Sequence, residues 1–337
     1  MICVTGSDFE RRLPLLITGI ASVAGYNAFH YFSQRYPGQV IGTRRAAYWP
    51  LRGEGIVGCD VEDVESLRRL FDRYQFRSVL NCGGSCALKS CELDPSLAWR
   101  ANVAGVENLI RQIGSTNVRL VHLSIDLVFS GAKDGGYVED DATDPVTVYG
   151  KTMVEGENRV IENRSVCILR ISLPMGTSFN GHAGAIDWIQ SRFKHSRPAT
   201  LYFDEVRTPT YTDCLNRLFE HLLSNDLGGL YHAGGPRRLS LYEIAQIVNR
   251  VGGYAPDDLI GCFRIEAGPI PPRAGNVSLD SGKLERALGY NPFDPWPFCD
   301  SLTPSHPKWH YERPAGAEHS PERLEQVLYR NPDTADD

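Results

Sequence analysis

A tyrosine stands at the start of a predicted helix, where its phenol could donate or accept a proton. Residues 147–157 read TVYGKTMVEGE, and this pattern predicts a helix that opens beside Tyr149. Met153 follows one turn later on the same helix face and has no charge. Lys151 is rotated by about 200° around the helix and points away. Without a neighbouring cation a phenol keeps a pKa of about 10, so Tyr149 is expected to be a poor base that can still donate a proton.

A glycine-containing turn follows the first predicted strand. The segment LLITGIASVAGYNAF places Gly19, Ser22 and Gly25 three residues apart, between an apolar β-rich run and a helical pattern. Such a turn lets the backbone approach a pyrophosphate, and the N–H groups at the helix start, near Val23, face its charge. Ser22 occupies a position where glycine is more common, so the approach should be slightly less close. We interpret the turn as a dinucleotide site; an ordinary turn is the alternative.

Two arginines end the second predicted strand, VIGTRR. An acidic residue here would bind the ribose hydroxyls of NAD, whereas Arg44 and Arg45 can pair with the 2′-phosphate of NADP. Asp60, followed by Val61, is placed to meet the adenine amino group, although it could instead cap the next helix. We predict NADP(H) rather than NAD(H) as the cofactor. An exposed basic turn without a ligand is the alternative.

The order of the elements predicts an α/β fold. The first 170 residues alternate short apolar runs with longer helical patterns, as in a Rossmann-type doubly wound parallel sheet. Pro and Gly become frequent after Ile171, which predicts a smaller α/β substrate-binding domain. The predicted boundaries are an N-terminal tail over 1–12, an NADP-binding domain over 13–172 to which 200–235 return, a substrate domain over 173–199 and 236–294, and an irregular C-terminal tail over 295–337.

The composition excludes several classes of protein. Of 337 residues 42% are hydrophobic and 23% charged, which is typical of a globular protein, and the net charge of −6 argues against nucleic acid as a partner. We expect no membrane span, because every apolar segment is shorter than the roughly 18–20 residues needed, and no secretory signal. Nine cysteines fit reduced thiols and a cytoplasmic location. Cys82, Cys86 and Cys91 do not have zinc spacing, so no metal is expected.

With these pieces in place, the chain resembles the extended short-chain dehydrogenase/reductases, and among them the dTDP-4-dehydrorhamnose reductase group of sugar-nucleotide-binding proteins. That group also includes the regulatory subunit of methionine adenosyltransferase. The resemblance runs from about Leu15 to Pro292. It rests on NCGG, on CELDPSLAWRANVAGVENLI with Asn102, on VHLSIDLVFSGAKDGGYVEDDATDPVTVYGKT, and on the later segments DEVRTPTYTDCL, GGLYHAGGPRRLSLYEIA and PPRAGNVSLDSGKLERALGYNPF.

The resemblance implies a reaction centre of three side chains. A Ser or Thr holds the carbonyl oxygen, a tyrosine moves the proton, and a lysine four residues later lowers the pKa of the tyrosine and binds the nicotinamide ribose. These positions are Ile125, Tyr149 and Met153 here, so two of the three groups are missing. Ser124 is a neighbouring hydroxyl, but it faces the other side of the strand unless the strand bulges. The other cofactor positions that the resemblance implies are Val61, Cys82, Gly83, Gly84, Asn102, Ser124, Tyr149 and Ser172.

Two functions follow from these residues. The first is an NADP(H)-dependent reductase of a nucleotide sugar whose ordinary activity is weak or absent. The second is a non-catalytic regulatory or assembly subunit that binds NADP(H), with the tail from 295 contacting a partner protein or a second copy of the chain. A tail that only wraps the surface of its own chain is the alternative. Arg273 and Asn276 are expected to reach the substrate, where an arginine could bind a nucleotide diphosphate. A surface salt bridge is the alternative for Arg273.

Overall fold

A computed structural model of the protein describes residues 9–48, 50–84, 87–114, 116–161, 166–182, 184–314 and 319–329. Cys86 and the outer parts of both predicted tails, 1–8 and 330–337, lie outside these residues. The strands are, in chain order, β1 (Leu15–Thr18), β2 (Val40–Arg44), β3 (Ile56–Gly58), β4 (Ser78–Asn81), β5 (Arg119–Ile125), β6 (Val166–Ile171), β7 (Pro174–Met175), β8 (Ala199–Tyr202), β9 (Val206–Arg207), β10 (Thr210–Tyr211), β11 (Gly229–Ala233), β12 (Leu239–Ser240) and β13 (Leu259–Cys262).

Seven of these strands form one sheet in the order β11-β6-β5-β4-β1-β2-β3. Every neighbouring pair in it is parallel. The chain order reverses between β4 and β1, so the two loops that leave these strands diverge. The predicted doubly wound parallel sheet is therefore confirmed, and its switch point lies where β1 meets β4.

The helices cover both faces of the sheet. They are α1 (Val23–Arg35), α2 (Val64–Tyr74), α3 (Leu88–Leu93), α4 (Pro95–Trp99), α5 (Gly105–Ile113), α6 (Val148–Val160), α7 (Ala185–Lys194), α8 (Thr212–Ser224), α9 (Leu241–Val251), α10 (Gly282–Leu288) and α11 (Pro321–Leu328). A π-helical turn, Arg100–Ala104, joins α4 to α5. A capping box begins α9: Ser240 Oγ accepts from Glu243 N at 3.1 Å, and Glu243 Oε2 accepts from Ser240 N at 2.7 Å.

The strands alternate between two apolar layers, because successive side chains point to opposite faces. In β5, Val121 and Leu123 pack in the same core as α1 and α8. Leu120 packs instead in the core that contains residues of α2, α5 and α6. The tyrosine helix α6 thus lies on the face towards which Leu120, and by alternation Ser124, is directed.

The segment from 295, predicted as an irregular tail, contains short turns and the helix α11. Trp296 is fully buried, and its Nε1 donates to Leu328 O at 2.8 Å. Trp309 is also buried, with the Arg250 guanidinium 3.9 Å from its ring centre. At the other end, Phe9 is buried and stacks on Phe32 at 5.1 Å. The domain boundaries themselves stay predictions.

None of the helices in the described part of the chain is both long enough and apolar enough to cross a membrane.

Candidate active site

The turn after β1 has a geometry that requires glycine. Gly19 has a φ of +66°, and a Cβ there would lie 2.4 Å from the carbonyl oxygen of Cys82 at the end of β4. A Cβ at Gly25 would lie 2.5 Å from the carbonyl oxygen of Gly19. Both distances are far below a normal contact, so the two glycines let α1 begin directly against the ends of β1 and β4.

Ser22 caps the helix that begins in this turn. Its Oγ accepts a hydrogen bond from Gly25 N at 3.1 Å and donates to Gly19 O at 2.9 Å. The first N–H groups of a helix have no intrahelical acceptor. Ser22 satisfies one of them, and those of Val23 and Ala24 remain at the helix start. A tight turn, a helix N-terminus and a sheet switch point together fit the diphosphate of a dinucleotide.

Arg44, one of the two predicted 2′-phosphate ligands, is occupied by its own loop. Its Nε donates to Leu51 O at 2.7 Å, and its Nη1 donates to Arg45 O at 2.8 Å and to Ala46 O at 3.0 Å. These bonds hold the segment after β2 in a defined shape. The structure thus places Arg44 as a support for the loop at the end of β2.

Arg45 is the more accessible of the two arginines. Its Nη2 donates to Glu62 Oε1 at 2.8 Å, and about half of its side chain (51%) is exposed. Exposed pairs of this kind contribute at most about 1 kcal/mol, so an anion can replace Glu62 at little cost. Asp60 Oδ1 accepts from Ala46 N at 3.0 Å, which ties the same loop to the residues before α2. The adjacent Val61 contributes its carbonyl oxygen to Asn108 Nδ2 at 3.2 Å.

The end of β4 connects the turn to the tyrosine helix. Gly83 N donates to Asn81 Oδ1 at 3.2 Å, and a Cβ at Gly84 would lie 2.9 Å from Asn102 Oδ1. Asn102 is buried, as its helical pattern predicted, and its Nδ2 donates to Thr152 Oγ1 at 2.9 Å. The asparagine therefore joins the π-helical turn to α6, one residue before Met153.

The structure brings the three family positions together at the start of α6. Tyr149 and Met153 are both buried in one apolar cluster, and Ile125 packs against it. Thr147 caps the helix through Oγ1, which accepts from Gly150 N at 2.9 Å. The predicted helix start beside the tyrosine is confirmed. Methionine and isoleucine supply neither a charge nor a hydrogen bond to the phenol.

Ser124 lies on the opposite side of β5 from Ile125. Strand β5 pairs residue for residue with β6 up to its end, Ser124 with Arg170 and Ile125 with Ile171. Ser124 is buried, and its Oγ has no hydrogen-bond partner among the described residues. The regular register means that no bulge moves Ser124 to the position of Ile125.

A buried ion pair that the sequence analysis did not single out lies beside this site. Asp126 follows β5 and is fully buried, and its carboxylate accepts two hydrogen bonds from Arg207: Nε to Oδ2 at 2.6 Å, and Nη2 to Oδ1. Ser172 Oγ donates to the same carboxylate at 2.5 Å and accepts from Thr208 N at 3.1 Å. A signal existed in the sequence, because a charged residue directly after a buried strand must find a partner.

Arg273 extends this ion pair into a buried charged cluster. Its Nη1 lies 3.7 Å from Glu205 Oε2, and its guanidinium lies 4.9 Å from the ring centre of Tyr202. Glu205 is buried, and Oε1 lies 3.9 Å from Arg207 Nη1. Burial raises the pKa of Glu205, and the two arginines oppose that effect. Arg273 is partly exposed (26%) and forms a salt bridge, so both the substrate role and the alternative of a salt bridge stay predictions.

Asn276, the other predicted substrate residue, fastens a loop. Its Nδ2 donates to Asp134 O at 2.9 Å. Within the described residues no group of three or more His, Cys, Asp or Glu side chains could hold a metal ion.

Comparison with known proteins identifies relatives along most of the chain. A family model described as the RmlD substrate binding domain matches residues 13–296. The dTDP-4-dehydrorhamnose reductase of Aggregatibacter actinomycetemcomitans is 26% identical over 249 residues, which are 70% of this chain and 83% of the relative. Methionine adenosyltransferase 2 subunit beta of Rattus norvegicus is 25% identical over 318 residues, 88% of this chain and 92% of the relative.

Solved structures share the fold. The dTDP-4-dehydrorhamnose reductase of Bacillus anthracis, in complex with NADP, superposes with a TM-score of 0.72 at 19% identity and covers 84% of this chain and 95% of its own. The Bordetella bronchiseptica enzyme WbmG, in complex with NAD and UDP, has a TM-score of 0.70 at 20% identity, with 83% and 90% coverage. At these identities the neighbours show that the fold is shared.

Proposed function

We propose a function from one premise: the chain belongs to the RmlD substrate binding domain family, whose model matches residues 13–296. The protein binds NADP(H) and a nucleotide sugar at the carboxyl ends of its sheet. Its ordinary reductase activity on a dTDP-4-keto sugar is weak or absent. The observation that carries this proposal is the apolar setting of Tyr149, with Met153 and Ile125 where the family has a lysine and a hydroxyl.

The binding half of the proposal is supported by the turn after β1. Gly19, Ser22 and Gly25 have the close packing and the helix start that a dinucleotide diphosphate requires. Arg45 is exposed enough to exchange Glu62 for a 2′-phosphate. A neighbour of the same fold was solved with NADP and another with NAD. When bound, the nicotinamide supplies the hydride, because that chemistry belongs to the cofactor.

The chemical half concerns what this chain's own residues do to the substrate. Tyr149 would donate the proton to the carbonyl oxygen of the substrate, whose carbon takes up the hydride. Arg273, which is separated from Arg207 by Glu205, orients the diphosphate of the nucleotide sugar. General acid–base assistance contributes roughly 10²–10⁴ in rate, so loss of two of the three groups that normally assist this step removes most of the turnover.

A second function has its own supporting observation. The methionine adenosyltransferase beta subunit of Rattus norvegicus, a relative named as a subunit, aligns with 88% of this chain. On this alternative the protein is a regulatory or assembly subunit that binds NADP(H), and residues from 295 contact a partner or a second copy of the chain. We also propose a cytoplasmic location, since none of the seven cysteines of the described residues forms a disulfide.

Calorimetric titration with NADPH and with NADH, followed by an assay of hydride transfer to a dTDP-4-keto sugar, tests the proposal. We expect tighter binding of NADPH and little turnover. The double substitution Ile125→Thr and Met153→Lys should then raise hydride transfer by at least about 10²-fold. The matched control adds Tyr149→Phe to the double variant and should abolish the gain.

The outcomes separate the two functions. Normal turnover by the unmodified protein would contradict the claim of impaired catalysis. NADPH binding with no gain in the double variant would favour the regulatory subunit, because it would indicate a lost substrate pocket.

A further inference from the structure

The missing lysine leaves Tyr149 without a cation on its own helix. Met153 occupies the lysine position and is buried. Lys151, the nearest amine on α6, is exposed to solvent. A charge that acts on the phenol must therefore come from another element of the fold.

The first turn of α6 packs closely on the residues that follow β5. A Cβ at Gly150 would lie 2.2 Å from the carbonyl oxygen of Leu127. Leu127 belongs to the short turn Asp126–Val128, which begins with the aspartate that holds Arg207. The glycine next to Tyr149 thus brings the phenol-bearing turn against the turn that anchors the guanidinium.

Arg207 is a permanent, fixed cation at this place. Its side chain is only 5% exposed, and Asp126 binds it through two nitrogen atoms. Burial disfavours its charge, but Asp126 outweighs burial and raises the pKa of Arg207 above its ordinary value. The Tyr149 phenol is among the groups that raise the pKa of Arg207. Since an interaction between two charges is mutual, the guanidinium stabilises the ionised phenol in turn.

The other charged groups near the phenol belong to the neighbouring elements. Asp126 and Glu205 flank Arg207, and Arg273 pairs with Glu205. Glu92, on α3, accepts a hydrogen bond from Val148 N at 2.7 Å and sits at the positive end of α6. The positive charge of Arg273 partly neutralises Glu205, and the positive end of the α6 dipole partly neutralises Glu92.

We propose that Arg207, anchored by Asp126, replaces the family lysine as the cation that promotes ionisation of the Tyr149 phenol. Arg207 is a positioning residue in this account, because it acts through the tyrosine. The inference rests on the proposed function, in which Tyr149 moves the proton. It implies that one role of the family lysine, lowering the pKa of the phenol, is kept, whereas the lysine's contact with the nicotinamide ribose and the hydroxyl at position 125 are still lost.

The test is an ultraviolet absorbance titration of phenol ionisation on the full chain. The protein has 15 tyrosines, so the curve of Tyr149→Phe is subtracted in each background to isolate Tyr149. Arg207→Gln should raise the ionisation midpoint of Tyr149 by about one pH unit, the lower end of the effect of a nearby opposite charge. Arg207→Lys, which keeps the charge, should leave the midpoint within a few tenths of a unit.

Two further variants keep the test decisive. Arg207→Gln leaves Asp126 buried without its partner and could prevent folding. The pair Asp126→Asn with Arg207→Gln removes both charges and leaves no unpaired buried ion; if Arg207 acts on the phenol as proposed, the pair should still raise the midpoint. Arg119→Gln is the matched control: Arg119 is buried at the opposite end of β5, where its Nε donates to Leu222 O at 3.0 Å.

The results distinguish this inference from the proposed function. An unchanged or lowered midpoint in the double variant, or an equal rise in Arg119→Gln, would overturn the role of Arg207. The titration needs neither cofactor nor turnover, and NADPH binding is measured on the same samples. Loss of NADPH binding with a shifted midpoint would reject the proposed function and retain the effect of Arg207 on the phenol.

Discussion

Adjacent arginines at the end of β2 have different contacts and should have different effects on cofactor binding. Arg44 donates to three backbone carbonyls of its own loop, so its loss would disturb the loop for any ligand. Arg45 has an exposed ion pair with Glu62. A phosphate that displaces Glu62 would gain a charge-assisted hydrogen bond of about 1.5–3 kcal/mol.

Arg45→Gln should therefore weaken NADPH binding by about tenfold or more and leave NADH binding unchanged. Isothermal titration with the two cofactors measures both constants. Glu62→Gln is the matched variant, and it should leave NADPH binding equal or tighter because it frees the arginine. Equal losses for NADPH and NADH in Arg45→Gln would contradict a role in reading the 2′-phosphate.

At this scale the sequence was informative about residue types and less so about their partners. Tyr149, Ile125 and Met153 lie together, as their spacing and the resemblance to the family predicted. The partner of Asp126 could not be inferred, because Arg207 is 81 residues away and meets it only through the folded chain. The engagement of Arg44 was equally hidden, since its acceptors are backbone carbonyls that every residue has.

At the scale of elements, α6 is held at close range by two glycines. Beyond the contact of Gly150 with Leu127, a Cβ at Gly156 would lie 2.6 Å from the carbonyl oxygen of Asn102 in the π-helical turn. The helix therefore touches backbone at both points. Its distance from the sheet and from the turn that follows β5 depends on the absence of these two side chains.

Gly156→Ala should destabilise the protein by about 1–3 kcal/mol, because the added methyl group meets backbone that cannot move aside. Helix propensity alone favours alanine over glycine by about 1 kcal/mol. If propensity decided the outcome, Gly156→Ala would stabilise the protein. Urea denaturation measures the difference. Gly105→Ala is the control within a helix: its methyl group would meet a methyl group of Val61, a side chain that can shift. Equal stability of the two variants would show that α6 is not held at this distance.

The elements themselves were largely predictable from sequence period. The alternation of short apolar runs with helical patterns predicted the parallel sheet, whereas the position of its switch point became known only from the strand order. The residues from 295 were harder to interpret. Their Pro-rich composition resembles a loop, yet Trp296 and Trp309 are buried. Burial of isolated aromatic residues depends on the surface that receives them, which no local pattern records.

At the scale of the whole molecule, a row of polar side chains is buried across the sheet. Asn81 Nδ2 and His122 Nδ1 are joined at 2.8 Å, between β4 and β5. Further along, Arg170 pairs with Glu157 at 2.7 Å, and His232 Nδ1 meets Tyr137 O at 2.9 Å. Packing around this row connects the Rossmann sheet to α6 and to the loop after β5, so its protonation affects the stability of the whole fold.

The pH dependence of the free energy of unfolding should show the effect of protonating the histidines of this row. Burial lowers the pKa of His122 from 6.5 to about 4, and burial with the nearby Arg170 does the same for His232. The unfolded chain therefore binds these protons first, and stability falls as the pH drops from about 6.5 towards 4. At pH 5 each of the two histidines lowers the free energy of unfolding by about 2 kcal/mol relative to pH 7.

Urea denaturation at pH 7 and pH 5 should show a smaller loss of unfolding free energy for His122→Gln than for the unmodified protein. His195→Gln, at an exposed position, should not reduce the loss. An identical loss in the unmodified protein and His122→Gln would show that His122 is not held neutral in the folded state.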